Sequence, residues 1–285
     1  MPFRDVLPQE SEFWEACARH TNRQTARTIQ AIYLCDDCAI RLTKEGFNDR
    51  PPIYHGETIE GFCGLCNAGK NVTLRFWFAC VYCWNVVVAY QKGFVASQSV
   101  HDYWARSVTP LFPHLKLTET GKIYISPYAR SPRTKKAAAT GLKELDFVVA
   151  NVEGDQETPL FHIELKAGPG SIQEMLEFQL DINDSNDIIG CANNTKLPCY
   201  IFQEQLAHRY APPTRATVAI GTWWTDIFTL LENQVAVRGR RGEEKEAGYY
   251  SPRAFKPIET FADELRERRY TRLKERLEKE PLTLT

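Results

Sequence analysis

Nowhere in its 285 residues does this chain carry an apolar run approaching the ~18 residues that a bilayer-spanning helix needs. That argues against a helical membrane protein. The opening residues, Met1-Pro2-Phe3-Arg4-Asp5, hold no apolar signal-peptide core, so the expectation is a soluble cytoplasmic protein. Charge of one sign is not in excess either. Thirty-five Lys and Arg stand against 36 Asp and Glu, a formal net charge of −1. A chain so balanced does not bind nucleic acid through its overall charge, and any such contact must come from local patches. There is no His-Glu-x-x-His motif of a zinc hydrolase and no Gly-rich phosphate loop. His101, His114, His162 and His208 have no nucleophile elbow beside them, which disfavours Ser-His and Cys-His hydrolases. Low-complexity tracts are absent.

Cysteine, by contrast, is plentiful. Six of the nine cysteines form C-x-x-C pairs: Cys35/Cys38, Cys63/Cys66 and Cys80/Cys83. In a reducing compartment that spacing argues for metal rather than disulfides. Tetrahedral zinc takes four ligands, and each knuckle delivers two. Cys63, Cys66, Cys80 and Cys83 make one expected set, with a strand-like run Asn71–Phe78 between the knuckles. Cys17, His20, Cys35 and Cys38 make a second at parallel spacing. Alternatively Cys17 and His20 sit on an ordinary amphipathic helix, leaving Cys35 and Cys38 to another partner such as His55. An interleaved pairing is also open. Knuckle, strand and second knuckle opening a helix resembles a treble-clef or zinc-ribbon module. Neither set shows an open position, so both zinc ions are expected to be structural. Cys191 and Cys199 lack the spacing and read as buried small hydrophobes.

Two strand-like runs carry the chemistry: Lys143–Val149 and Phe161–Lys166. Strand side chains alternate faces. Leu145, Phe147 and Val149 therefore oppose Glu144, Asp146 and Val148, and Phe161, Ile163 and Leu165 oppose His162, Glu164 and Lys166. Carboxylates and an amine converge at a sheet edge whose other face is core. That is costly unless something such as a divalent cation uses the charge. Asp146 and Glu164, with the Leu165 carbonyl as a third donor, suit a hard cation such as Mg²⁺. Lys166 would orient or help deprotonate the attacking water, and Glu144 is a spare acid on the same face. Ala167-Gly168-Pro169-Gly170 ends the second run. A helix is expected over 171–182, opened by a Ser171/Glu174 capping box, with Ile172, Met175, Leu176 and Leu180 as its stripe and Gln179 beside it.

This arrangement resembles the PD-(D/E)xK nuclease superfamily over roughly residues 97 to 230. Asp146 matches the first acid, Glu164 the second and Lys166 the lysine, with 17 residues between the two acids. The proline is missing; Leu145 stands there. The resemblance implies an α/β (α+β) fold, a mixed central sheet flanked by helices with a restriction-endonuclease-like core. It also implies Mg²⁺-dependent cleavage of double-stranded DNA, in the manner of a type II restriction endonuclease from a prokaryote or phage, and therefore a homodimer. A structure-specific or repair nuclease shares the same chemistry. A zinc-finger DNA-binding protein with an inert acidic sheet is the reading from another class.

The expected organisation is a zinc-binding domain over 1–95 and a nuclease domain over 96–285. Within the second, Ser99–Val108 reads as a helix, 115–128 as a hairpin, Cys199–Phe202 and Ala216–Ile220 as strands, and Thr260–Glu278 as one charged helix packing on a neighbour or a dimer mate. Arg130, Arg133, Lys135 and Lys136 form a basic loop just before the acidic strand, suited to phosphates. Arg238, Arg240 and Arg241 form a second, suited to phosphate or guanine contacts.

Overall fold

The computed structural model describes residues 28–45, 54–64, 69–79, 93, 95–120, 145–168, 170–211, 214–239 and 246–283. These fall into two units that change over at Val95/Ala96, with 208–218 grouped with the first.

The first unit is a three-stranded antiparallel sheet. Strands β1 (Thr28–Leu34), β2 (Tyr54–Phe62) and β3 (Gly69–Ala79) lie in the order β1-β3-β2. The run Asn71–Phe78 lies within β3, as its alternation requires. Helix α1 (Asp36–Glu45) follows β1 after the single residue Cys35, with Asp36 and Asp37 in its first turn, where carboxylates complement the helix dipole. Leu34 and Val72 are fully buried, and Ala39 and Leu74 nearly so.

The second unit is α+β, a mixed sheet flanked by helices. Helix α2 covers 95–103 and runs into a π-helical turn, Trp104–Val108. Then come β4 (Leu115–Glu119), β5 (Phe147–Glu153), β6 (Gln156–Gly168), β7 (Phe178–Asp181), α3 (Ile182–Thr195), β8 (Cys199–Ala211), β9 (Thr214–Asp226) and α4 (Ile227–Glu232). The chain continues through β10 (Gln234–Gly239), β11 (Glu246–Tyr250), β12 (Lys256–Pro257), α5 (Phe261–Arg266) and α6 (Arg269–Lys279). Six strands lie in the order β12-β9-β8-β6-β5-β4, with β6 and β8 parallel. A parallel pair needs a crossover, and β7 with α3 supplies it. Strands β10, β11 and β7 form a small antiparallel sheet.

Each face of the six-stranded sheet has its own core. Ile188 and Ala192 of α3 pack with Cys199, Ile201, Ile227 and Leu230 on one side. Cys191 and Cys199 both lie in this cluster, 5% and 0% exposed, as small hydrophobes do. On the other side Trp104, Phe147, Phe161, Tyr200 and Phe202 gather around Phe261 of α5. Phe261 meets the rings of Phe161, Tyr200, Phe202 and Trp224 edge-on, with centroids 4.9 to 6.2 Å apart. No helix among the described residues is long and apolar enough to cross a membrane.

Two local expectations are corrected. No helix occupies 171–182. Ser171 closes a turn instead, its carbonyl accepting from Glu174 and Met175 at 3.1 Å. Leu176, assigned to the stripe, is 95% exposed. Phe178 and Leu180 are buried with Gln179 and Asp181 half-exposed between them, which is the period of a strand. The helix begins at Ile182, with Asp184 in its first turn. The C-terminal helix is broken at Arg268, whose φ of 50° is left-handed; its stripe residues Phe261, Leu265 and Leu277 are buried in this chain's own cores. Strand β4 pairs with β5, from Leu115↔Asn151 to Glu119↔Phe147, and the rest of the expected 115–128 hairpin lies outside the described residues.

Candidate active site where two strands part

Strands β5 and β6 position the site. Their ladder includes Phe147↔Ile163, Val148↔His162 and Val149↔Phe161. Beyond Phe147 the strands part, because β5 begins there while β6 continues to Gly168. Asp146 sits in that gap and accepts a hydrogen bond from the Leu165 backbone N–H at 2.8 Å. Alternation holds along the ladder and ends at Phe147. Phe147 and Val149 are fully buried in the cluster around Phe261, while Leu145, 1% exposed, packs with Ile188, Cys199 and Ile201 in the other cluster, so Asp146 sits where the chain crosses from one side to the other just before β5. The position before the acid therefore takes leucine, a core filler. Thr120 ties this corner down, its hydroxyl donating to the Leu145 carbonyl and its N–H to the Asp146 carbonyl.

On β6, Phe161 and Ile163 are fully buried and Leu165 packs against the same cluster. His162, Glu164 and Lys166 thus share the other face. Glu164 is 4% exposed. The Lys166 ammonium donates to Glu164 Oε1 at 3.0 Å and to Asp184 Oδ2 at 2.7 Å. Burial pulls the Lys166 pKa down, but Glu164 and Asp184 outweigh it and hold the pKa above the ordinary lysine value. The two carboxylates thus favour its ammonium form.

Asp184 was missed in the sequence because 181–187 reads as a surface turn. The available signal was Asp181, Asp184 and Asp187 at i, i+3, i+6, one face of a helix that opens after a strand. Gln203 of β8 was missed too. It stands in register beside Lys166 and is 4% exposed.

The donors fit a hard divalent cation. Three carboxylates against one ammonium give this partly buried group a formal −2. A strand residue presents N–H and C=O to the same side, so the Leu165 carbonyl leaves β6 on the side of Asp146. Carboxylate and carbonyl oxygens are the ligands Mg²⁺ accepts. Glu144, Arg130, Arg133, Lys135, Lys136, Arg240 and Arg241 lie outside the described residues. Arg238 is half-exposed on β10, paired with Glu177 and stacked 4.0 Å from the centroid of the Tyr249 ring.

A second group lies in the first unit. Cys35, Cys38 and Cys63 are buried with their thiols all within 4.8 Å of one another. The Cys35 N–H donates to Cys63 Sγ at 3.4 Å, and the Gly64 N–H to the Tyr33 carbonyl at 2.7 Å. A Cβ at Gly64 would come within 2.7 Å of the Ile32 side chain, so any larger residue here would push Ile32 aside. Sulfur donors in a closed, buried cradle fit zinc. The grouping crosses the two expected sets, joining Cys63 to Cys35 and Cys38. Cys17, His20, Cys66, Cys80 and Cys83 lie outside the described residues.

No protein-family model and no curated protein matches the chain. Among solved structures, a Holliday junction resolvase from the archaeal hyperthermophile Archaeoglobus fulgidus is similar at TM-score 0.30 and 12% identity, over 59% of this chain and 97% of its own. A nuclease from a fusselovirus is similar at TM-score 0.31 and 13% identity, over 61% of this chain and 86% of its own. Likenesses this loose decide nothing about activity, which rests on the residues themselves.

Behind the site, Glu204 of β8 is fully buried and accepts from Thr222 Oγ1 at 2.9 Å on both carboxylate oxygens. Burial raises its pKa from 4.5 to about 7, although the Thr222 and Ser99 hydroxyls oppose the shift. Between those values the folded protein keeps a proton that the unfolded chain releases. Stability therefore falls as pH rises from 4.5 to about 7, by on the order of 3 kcal/mol from this group. Denaturant unfolding across that window should show the slope, and Glu204→Gln should flatten it. An unchanged slope in the variant would assign the dependence elsewhere.

Proposed function

We propose that this chain is a Mg²⁺-dependent endonuclease that hydrolyses phosphodiester bonds of double-stranded DNA, with Asp146, Glu164 and Lys166 as its catalytic residues. One observation carries the reading: an aspartate and an E-x-K pair, 17 residues apart in the chain, meet where two strands separate, and one backbone hydrogen bond joins them. Asp146, Glu164 and the Leu165 carbonyl would hold the cation. When bound, it polarises a phosphoryl oxygen and makes water a stronger nucleophile. Asp146 is oriented by the Leu165 N–H. Lys166, held cationic by its two carboxylates, orients the attacking water and faces the negative charge that builds on the phosphoryl oxygens. Arg130, Arg133, Lys135 and Lys136 just before Asp146, and Arg238, Arg240 and Arg241, are the expected DNA contacts. A structural zinc ion belongs to the same reading, held by Cys35, Cys38, Cys63 and, from its knuckle spacing, Cys66. A second zinc would take its ligands from Cys17, His20, Cys80 and Cys83.

Sequence-specific cleavage by a dimer is the finer reading, and a structure-specific nuclease the alternative. Incubation with plasmid DNA, phage DNA and branched duplexes, with and without Mg²⁺, separates them. Discrete Mg²⁺-dependent fragments from linear duplex mean a restriction-type enzyme. Cutting confined to branched DNA means a structure-specific one. A zinc-loaded, folded protein that cuts none of these would be a binding protein instead.

A further inference from the structure

We infer that Asp184 is a positioning residue for this site, one that draws the Lys166 ammonium off Glu164 and so keeps that carboxylate available to the divalent cation. The inference rests on the nuclease reading and adds a residue from a different element. Asp184 lies in the first turn of α3, directly after β7. Its carboxylate is 2.7 Å from Lys166 Nζ, closer than the 3.0 Å between that nitrogen and Glu164. The bridge therefore leans toward α3. An ammonium and a metal cation compete for the same carboxylate, because each is stabilised by the same negative charge. With Asp184 present, the ammonium is shared. Without it, the ammonium falls entirely on Glu164, which is 5% exposed in its side chain and has little water to screen the contact. Lys166 is itself only 21% exposed, so it has no easy route out to solvent.

The arrangement also explains why the crossover places an acidic helix start here. The β6–β8 connection must return along the sheet face that carries Glu164 and Lys166. The opening of α3 brings Asp184 to that face. Its later turns, with Ile188, Ile189 and Ala192, fill the core.

The test is Mn²⁺ binding to the DNA-free full-length protein, read by electron paramagnetic resonance. Glu164→Gln should lose most of the binding; if it binds as well as wild type, or if wild type binds none, the nuclease site itself is wrong. With that control in place, Asp184→Asn should bind Mn²⁺ roughly tenfold more weakly, while Asp184→Glu, which keeps the charge, should recover most of the loss. In a Lys166→Gln background, Asp184→Asn should change the affinity by less than about twofold, because the residue acts through the lysine. Wild-type affinity in Asp184→Asn would overturn the inference and leave the site standing. An equal loss with and without Lys166 would also overturn it, making Asp184 a direct ligand. Circular dichroism verifies that each variant is folded, and Asp184→Ser repeats the comparison if the asparagine variant is not.

Discussion

Glu164→Gln is expected to lower Mg²⁺-dependent DNA cleavage by roughly a thousandfold or more, since a bound cation contributes several kcal/mol of transition-state stabilisation and each 1.36 kcal/mol is tenfold in rate. The substitution keeps shape and volume and removes only the charge. Glu164 is 4% exposed, so no water can replace it as a ligand. The fold should survive, because Asp184 still pairs with Lys166 at 2.7 Å and the core on the far side of β6 is untouched. Asp146→Asn should behave alike, although its amide can still accept from the Leu165 N–H. Lys166→Ala should slow turnover with a smaller effect on metal affinity. Single-turnover cleavage under saturating protein, with far-UV circular dichroism alongside, checks all three. A folded Glu164→Gln protein cutting at the wild-type rate would remove this carboxylate from the mechanism.

Losing the thiol cluster should have the largest effect on folding. Cys63→Ser is expected to release one zinc and to unfold the three-stranded sheet of the first unit. The magnitudes favour this outcome. Structural zinc contributes about 10–16 kcal/mol of apparent binding free energy at neutral pH, whereas a whole domain is stable by only about 5–15 kcal/mol. Apart from the thiols, the buried hydrophobic side chains described in this sheet and helix are few: Leu34, Ala39, Val72 and Leu74. Cys63 links the end of β2 to the loop between β1 and α1, so its loss disconnects both. Metal analysis together with amide hydrogen exchange in β1, β2 and β3 provides the check. Zinc loss without faster exchange in those strands would show that the sheet stands on its packing alone.

The two site strands were readable because period-two alternation is a local property. Once Phe147, Val149, Phe161 and Ile163 are assigned to one core, Glu164 and Lys166 must face the other way; Asp146 lies just before β5, and Leu145 packs in the opposite cluster. The same reasoning failed at 171–182. There Ile172, Met175, Leu176 and Leu180 mimic a helical stripe over a stretch whose burial is settled by partners far along the chain: Phe178 pairs with Tyr250 and Leu180 with Gly248. At the C-terminus the expected helix is present but not continuous. Nothing in Glu267-Arg268-Arg269 announces a left-handed residue, and the break fits the helix to two separate cores.

What the chain's own order determined is therefore the chemistry on offer: knuckle cysteines, an aspartate and an E-x-K pair on alternating strands, and a charge balance that leaves nucleic-acid contact to local loops. Spacing and alternation are short-range, so they survive reading without a structure. The tertiary fold alone decided which groups meet. It joined Cys63 to Cys35 and Cys38 across the 24 residues between Cys38 and Cys63, and it swung α3 back over the sheet so that Asp184 reached Lys166. Both meetings depend on long-range packing of β1 against β3 and of α3 against β8, and contacts of that kind leave no periodic trace in the residues that make them.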